Sequence, residues 1–136
     1  MTAEIAFVLG TCERFFPTCV TIESLIGNVS LPYDLIVFEY GMRQDEKEIL
    51  KKYNAQIVRY DRNSNMKTCL THVAFSKYEC FKISQRYEKT IWIDSDCVVD
   101  GNLDRMIELQ GDLVAHRNTP KSTDFSVITS WDEGRP

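Results

Sequence analysis

Two aspartates separated by one serine, Asp94-Ser95-Asp96, are the residues whose type and spacing bear most directly on chemistry. They follow the apolar run Thr90 to Ile93 and precede Cys97-Val98-Val99, which places them at the carboxyl end of an expected strand. Side chains two apart on an extended strand share a face, so both carboxylates would aim at one point. Two such charges repel unless a cation lies between them. Hard carboxylate oxygens suit Mn²⁺ or Mg²⁺, which keep water and take phosphate oxygens as further ligands. The pattern points to a divalent cation bridging a diphosphate, where it would neutralise the charge on a departing nucleoside diphosphate. The competing reading is structural, because aspartates at this spacing also cap helices and turns.

Such a cluster needs a framework to hold it, and the chain supplies one in alternating short elements. Ile5 to Gly10 is a continuous apolar run too short for a helix, the pattern of a strand buried on both faces. Pro17 suits the first turn of a following helix that carries Val20, Ile22, Leu25 and Ile26 and ends at Gly27-Asn28. Leu35 to Phe38 predicts a second strand, and Gln44 to Tyr53 a solvated helix with Ile49 and Leu50 turned inward. Gln56 to Tyr60 predicts a third strand. A long crossover helix from Asn63–Asn65 to about Ser84 follows, with Met66, Leu70, Val73, Ala74 and Phe81 on its apolar face, and Phe75 and Tyr78 beside them as core. Thr90 to Ile93 is the fourth strand, Asn102 to Leu109 a short helix, Leu113 to His116 a fifth strand and Phe125 to Thr129 a sixth. This alternation predicts an α/β fold, a mostly parallel Rossmann-like sheet with helices on both faces.

Composition narrows the partners. The 136 residues suit one domain, and 26% charged with 43% hydrophobic residues is the balance of a folded globular chain. A formal net charge of −4, with bases scattered among acids, argues against a nucleic-acid surface. No apolar run reaches the length of a membrane span, and MTAEIAFVLG lacks the features of a signal peptide, so the expected location is the cytoplasm. Cys12, Cys19, Cys69, Cys80 and Cys97 form no Cys-x-x-Cys pair and read as reduced core thiols. His72 and His116 stand alone in sequence and read as structural, since zinc sites and imidazole bases need partners.

The segment from Lys89 to Leu103, KTIWIDSDCVVDGNL, resembles the signature of the GT-A glycosyltransferases, above all the family of glycogenin and the bacterial lipooligosaccharide galactosyltransferases. The resemblance covers about the first 110 residues. It implies a GT-A-type sugar-nucleotide-binding domain, a UDP-sugar donor, Mn²⁺, and transfer to a glycan or protein acceptor that the residues do not identify. By this resemblance Asp94 contacts metal and ribose and Asp96 holds the metal, with Ser95 between them a further contact to the nucleotide. The same resemblance brings in the loop after strand one and the end of strand three. There Thr11 can bond the base or ribose, Asp61 can accept from a uracil N–H, and Arg14 or Lys67 can face the diphosphate. The family's His-x-x-Gly-x-x-Lys-Pro motif, a further metal ligand, has no counterpart after His116, and Phe125-Ser126-Val127 only faintly echoes its Phe-Asn-Ser-Gly strand. The chain stops at Pro136, before the acceptor region of that family. It reads as a truncated domain, a minimal enzyme or one part of a larger assembly.

Two other functions fit parts of the pattern. A phosphatase of the haloacid dehalogenase type uses Asp-x-Asp with the first aspartate as nucleophile, but its partner residues lie well downstream, and about forty residues follow Asp96 here. A non-catalytic module with a nucleotide pocket is the other. Strand one offers neither Gly-x-Gly-x-x-Gly nor a Gly-Lys-Ser/Thr loop, against a dinucleotide cofactor or a nucleoside triphosphatase. An inverting transferase would need a carboxylate base, for which Asp124 and Asp132 are the late candidates.

Overall fold

The computed structural model describes residues 3–12, 15–60, 76–110, 113–116 and 125–128, the last two segments as backbone only. They fall into two compact units, spanning 1–102 and 103–136. The first is built on a four-stranded, all-parallel sheet in the order β3-β2-β1-β4.

β1 (Ile5–Thr11) is the hydrophobic axis of that sheet, and all seven of its residues are buried. It pairs with β2 (Asp34–Glu39) from Ala6 opposite Asp34 to Thr11 opposite Glu39. On its other side it pairs with β4 (Lys89–Trp92) from Ile5 opposite Lys89 to Val8 opposite Trp92. β3 (Gln56–Arg59) pairs with β2 alone among the described strands. β4 is an edge among the described residues and only half-buried along its length.

The helices follow from the strand order. α1 (Phe15–Ile26) buries Thr18, Thr21, Ile22 and Leu25, a spacing of three and four that lines one helical face. Pro17 sits in its first turn, where its missing N–H costs no helical bond. α2 (Gln44–Lys51) starts where the Arg43 backbone N–H donates to the Glu46 carboxylate at 2.9 Å. Leu50 is fully buried, but Ile49 remains 38% exposed, against the expectation that both turn inward. Right-handed crossovers from β1 to β2 and from β2 to β3 step in the same direction and place α1 and α2 on one face. The return from β3 across the sheet to β4 steps the other way and places its helical segment on the opposite face.

That segment ends in a 3₁₀ turn, Lys77–Glu79, running into α3 (Cys80–Ile83). Ile83 joins Ala6, Val8, Ile36, Phe38 and Tyr60 in one core cluster, with Val58, Cys80, Tyr87 and Trp92 packed against it. Tyr78 and Phe81, expected as core, are 58% and 66% exposed. The 3₁₀ turn advances about 120° per residue where an α-helix advances about 100°, which displaces the apolar face read from helical spacing. The upstream part of the expected helix, with Phe75, lies outside the described residues.

The second unit contains α4 (Asp104–Ile107) and an antiparallel pair, β5 (Leu113–His116) with β6 (Phe125–Ile128). Among the described residues no helix is long and apolar enough to cross a membrane. Of the cysteines read as core thiols, Cys12 is buried, Cys19 and Cys80 are half-buried, and Cys97 is exposed.

Candidate active site

The strand order creates the site. β1 leads outward through α1 to β2 on one side, whereas β4 joins β1 on the other side. The chain therefore reverses direction between β1 and β4. Open parallel sheets bind ligands beyond the carboxyl ends of their strands at such a switch, because the loops diverge there. The carboxyl end of β4 delivers Asp94-Ser95-Asp96 to that place.

Locally the chain does not stay extended. The Ile93 N–H donates to the Val8 carbonyl at 3.0 Å, the last bond in this direction between β4 and β1. The Cys97 N–H then returns to the Asp94 carbonyl at 3.2 Å, closing a turn with Ser95 and Asp96 at its corners. The extended geometry expected for Asp94 and Asp96 is thus corrected: a tight turn, not strand alternation, sets their directions. Burial pushes the Cys97 thiol up, and the negative charges of Asp94 and Asp96 both add to that rise.

The stretch after the turn is fixed to α1. Thr21 donates its hydroxyl to the Cys97 carbonyl at 2.7 Å, the Val99 N–H donates to Ser24 Oγ at 3.0 Å, and the Asn28 amide donates to the Val99 carbonyl at 3.0 Å. Asn28 also reaches the Ser24 carbonyl at 2.8 Å, which holds its amide in place. Gly101 then adopts φ +127°, a backbone conformation that side chains disfavour.

Asp94 is oriented by two donors on one oxygen. Trp92 Nε1–H and the Lys77 ammonium each lie 2.8 Å from Oδ1. Lys77 also stands over the Trp92 ring, 5.5 Å from its centroid. Partial burial would raise the Asp94 pKa, but the bonds from Lys77 and Trp92 and the nearby positive charge outweigh it and hold the carboxyl below its ordinary range. Asp94 and Asp96 are both exposed and Ser95 is half-buried.

Two hard, exposed carboxylates on one turn suit Mn²⁺ or Mg²⁺, provided that phosphate and water supply the remaining ligands. Among the described residues no cluster of three or more histidine, cysteine or acidic side chains poised to hold a metal occurs. The donor set fits a cation that is shared with a substrate.

Of the other expected nucleotide contacts, Thr11 is the one whose side chain is described. Thr11 is 1% exposed, and its hydroxyl lies 2.7 Å from that of Thr18, so it ties β1 to α1. Arg14, Asp61 and Lys67 lie outside the described residues, as do His72, Asp124 and Asp132. The sequence reading missed Lys77 and Trp92 around Asp94, and Thr21, Ser24 and Asn28 behind the turn. Asn28 carried the only signal, as a helix-ending residue, and nothing in it announced a bond to Val99.

One further strand-end group is buried. Glu39, 1% exposed at the carboxyl end of β2, takes Lys47 at 2.6 Å, the Met42 N–H at 3.0 Å and Arg59 at 3.6 Å. Arg59 also lies over the Tyr40 ring at 4.9 Å.

The model of glycosyl transferase family 8 matches residues 5–126. The chain belongs to glycosyl transferase family 8. Its match takes in all four parallel strands, the Asp94-Ser95-Asp96 turn and β5, and it sets aside the dehalogenase-type phosphatase. Among solved structures, WbbM, described as a bifunctional glycosyltransferase in its apo form, is similar with a TM-score of 0.66 and 19% identity over 84% of this chain and 23% of that one. TarS of S. aureus is similar with a TM-score of 0.53 and 16% identity over 90% of this chain and 24% of that one. At these identities the likeness concerns the fold. The family 8 chain spans about a quarter of the length of the two solved chains. No curated relative matches it by sequence.

Proposed function

We propose that this chain is the sugar-nucleotide-binding part of a metal-dependent glycosyltransferase of GT-A type, taking a UDP-sugar as donor and a glycan or protein hydroxyl as acceptor. The observation that carries this reading is the turn bearing Asp94 and Asp96 at the carboxyl end of β4, beside the reversal between β1 and β4. Family 8 membership supports sugar transfer as the reaction class.

In this reading Asp94 and Asp96 hold Mn²⁺ or Mg²⁺, which when bound supplies Lewis-acid stabilisation of the departing diphosphate. The chain's own residues prepare that site. Trp92 and Lys77 fix Asp94 through Oδ1, and among the described residues no bond falls on Oδ2. Thr21, Ser24 and Asn28 hold the following backbone still, so the carboxylates need little reorganisation when the donor arrives. Ser95, Arg14, Asp61 and Lys67 complete the proposed nucleotide contacts.

The test is thermal shift of the full chain with UDP and with a panel of UDP-sugars, with and without Mn²⁺, followed by assay of UDP release. A Mn²⁺-dependent shift with slow release of UDP from one sugar nucleotide is expected. No shift and no release across the panel would overturn the reading.

A further inference from the structure

We infer that Asp100-Gly101 is a site of spontaneous covalent modification, where the chain closes to a succinimide and reopens as isoaspartate. No nucleotide or cation takes part. Asp100-Gly101 is the single Asp-Gly pair in the sequence, and no asparagine precedes a glycine. The pairing matters because the nitrogen of the second residue must reach the side-chain carboxyl carbon of the first. Glycine has no side chain to shield that nitrogen.

The structure leaves the approach open. Asp100 and Gly101 are both exposed and lie in neither helix nor strand. Gly101 has φ +127°, and a Cβ built on it would meet nothing within 4 Å. Among the described residues neither the Asp100 carboxylate nor the Gly101 N–H makes a hydrogen bond. Asp94-Ser95, where a small residue also follows an aspartate, gives the contrast. There Trp92 and Lys77 each hold Asp94 Oδ1 at 2.8 Å and Ser95 is half-buried, so the carboxyl is committed elsewhere. The Asn28 amide is likewise held, by the Ser24 carbonyl at 2.8 Å and the Val99 carbonyl at 3.0 Å.

In the first step the Gly101 nitrogen attacks Cγ of the Asp100 carboxylic acid. An N–C bond forms, and the hydroxyl of the acid departs with the amide proton as water, leaving a cyclic imide. Water then opens the ring at one of its two carbonyls. Attack at Cγ restores aspartate. Attack at the main-chain carbonyl carbon gives isoaspartate, in which the backbone runs through the former side chain, one methylene longer, and the α-carboxyl is left as the free acid. The added methylene falls one residue after Val99, whose N–H and carbonyl are tied to Ser24 and Asn28, and just before the boundary between the units 1–102 and 103–136. The covalent link between the units is thereby lengthened.

The test is ageing of the full chain in warm buffer, followed by peptide mapping and by methyl labelling with an isoaspartyl methyltransferase and S-adenosylmethionine. The peptide containing Asp100 is expected to split into two species of equal mass, one of which takes the label and resists a protease specific for aspartate. Asp100→Glu keeps the exposed charge but would have to close a larger ring, and it should remove nearly all of the label from this peptide. Asp100→Asn offers ammonia as the leaving group in place of water and should label severalfold faster. Absence of label from this peptide in the folded chain, equal labelling in Asp100→Glu, or no acceleration in Asp100→Asn would overturn the inference.

Discussion

The hydroxyl of Thr21, in the middle of α1, donates to the carbonyl of Cys97 at 2.7 Å. The same hydroxyl lies 3.1 Å from the Pro17 carbonyl one turn back, so it belongs to the helix and to the site loop at once. Through this contact a helix far away in sequence fixes the exit of the Asp94 turn. Thr21→Val keeps the buried volume and removes the donor, leaving the Cys97 carbonyl short of a partner. A loss of about 1–2 kcal/mol is expected in urea denaturation, together with weaker Mn²⁺-dependent UDP binding. Unchanged stability and binding would show that the loop is held by other means.

Glu39 concerns the sheet more than the chemistry. Its carboxylate is buried among Lys47, the Met42 N–H and Arg59. Glu39→Ala leaves a backbone N–H without its acceptor and a lysine without its counter-charge. Because Lys47 is one-quarter exposed and can turn toward water, the expected cost is about 3 kcal/mol, the low end for a broken buried pair. Glu39→Gln retains an acceptor for Met42 and should cost less. Denaturant midpoints of the two variants check the order, and equal losses would contradict it.

Tyr53 offers a pH test away from the site. Its hydroxyl donates to Glu23 at 2.7 Å, tying the turn after α2 to α1. That bond, with smaller help from burial and the Glu23 charge, pushes the phenol from its ordinary 10 up to about 12. A folded-state pKa above the unfolded value contributes stability that is full below about pH 10 and is lost as pH rises through about 12. Melting temperatures of the unmodified protein and Tyr53→Phe should therefore differ at pH 9 and converge toward pH 12. A constant gap would contradict the assignment.

β1 and β2 were legible because burial on both faces writes itself as uninterrupted apolar runs. Ile5 to Gly10 became Ile5–Thr11, and Leu35 to Phe38 became Asp34–Glu39. Asp94 and Asp96 could be singled out because two acids one residue apart at the end of an apolar run need an explanation. Their surroundings could not. Lys77 reaches Asp94 only through the packing of the crossover segment onto β4, and local spacing says nothing of that. Strand periodicity also failed at Asp94, where the backbone bond from Cys97 turns the chain. Thr11 looked available beside a strand end, yet its position on the α1 face of β1 commits it to Thr18. Phe81 looked like core until the preceding 3₁₀ turn shifted the face it occupies.

The central claim is that Asp96, with Asp94, holds a divalent cation for a sugar nucleotide. Asp96 is exposed on a turn, so its removal should leave the core intact and the melting temperature within a degree or two. Titration of UDP into Asp96→Ala, with and without Mn²⁺, tests the claim most directly. The predicted result is a folded protein in which Mn²⁺ no longer strengthens UDP binding, and undiminished Mn²⁺-dependent binding in that variant would contradict the account.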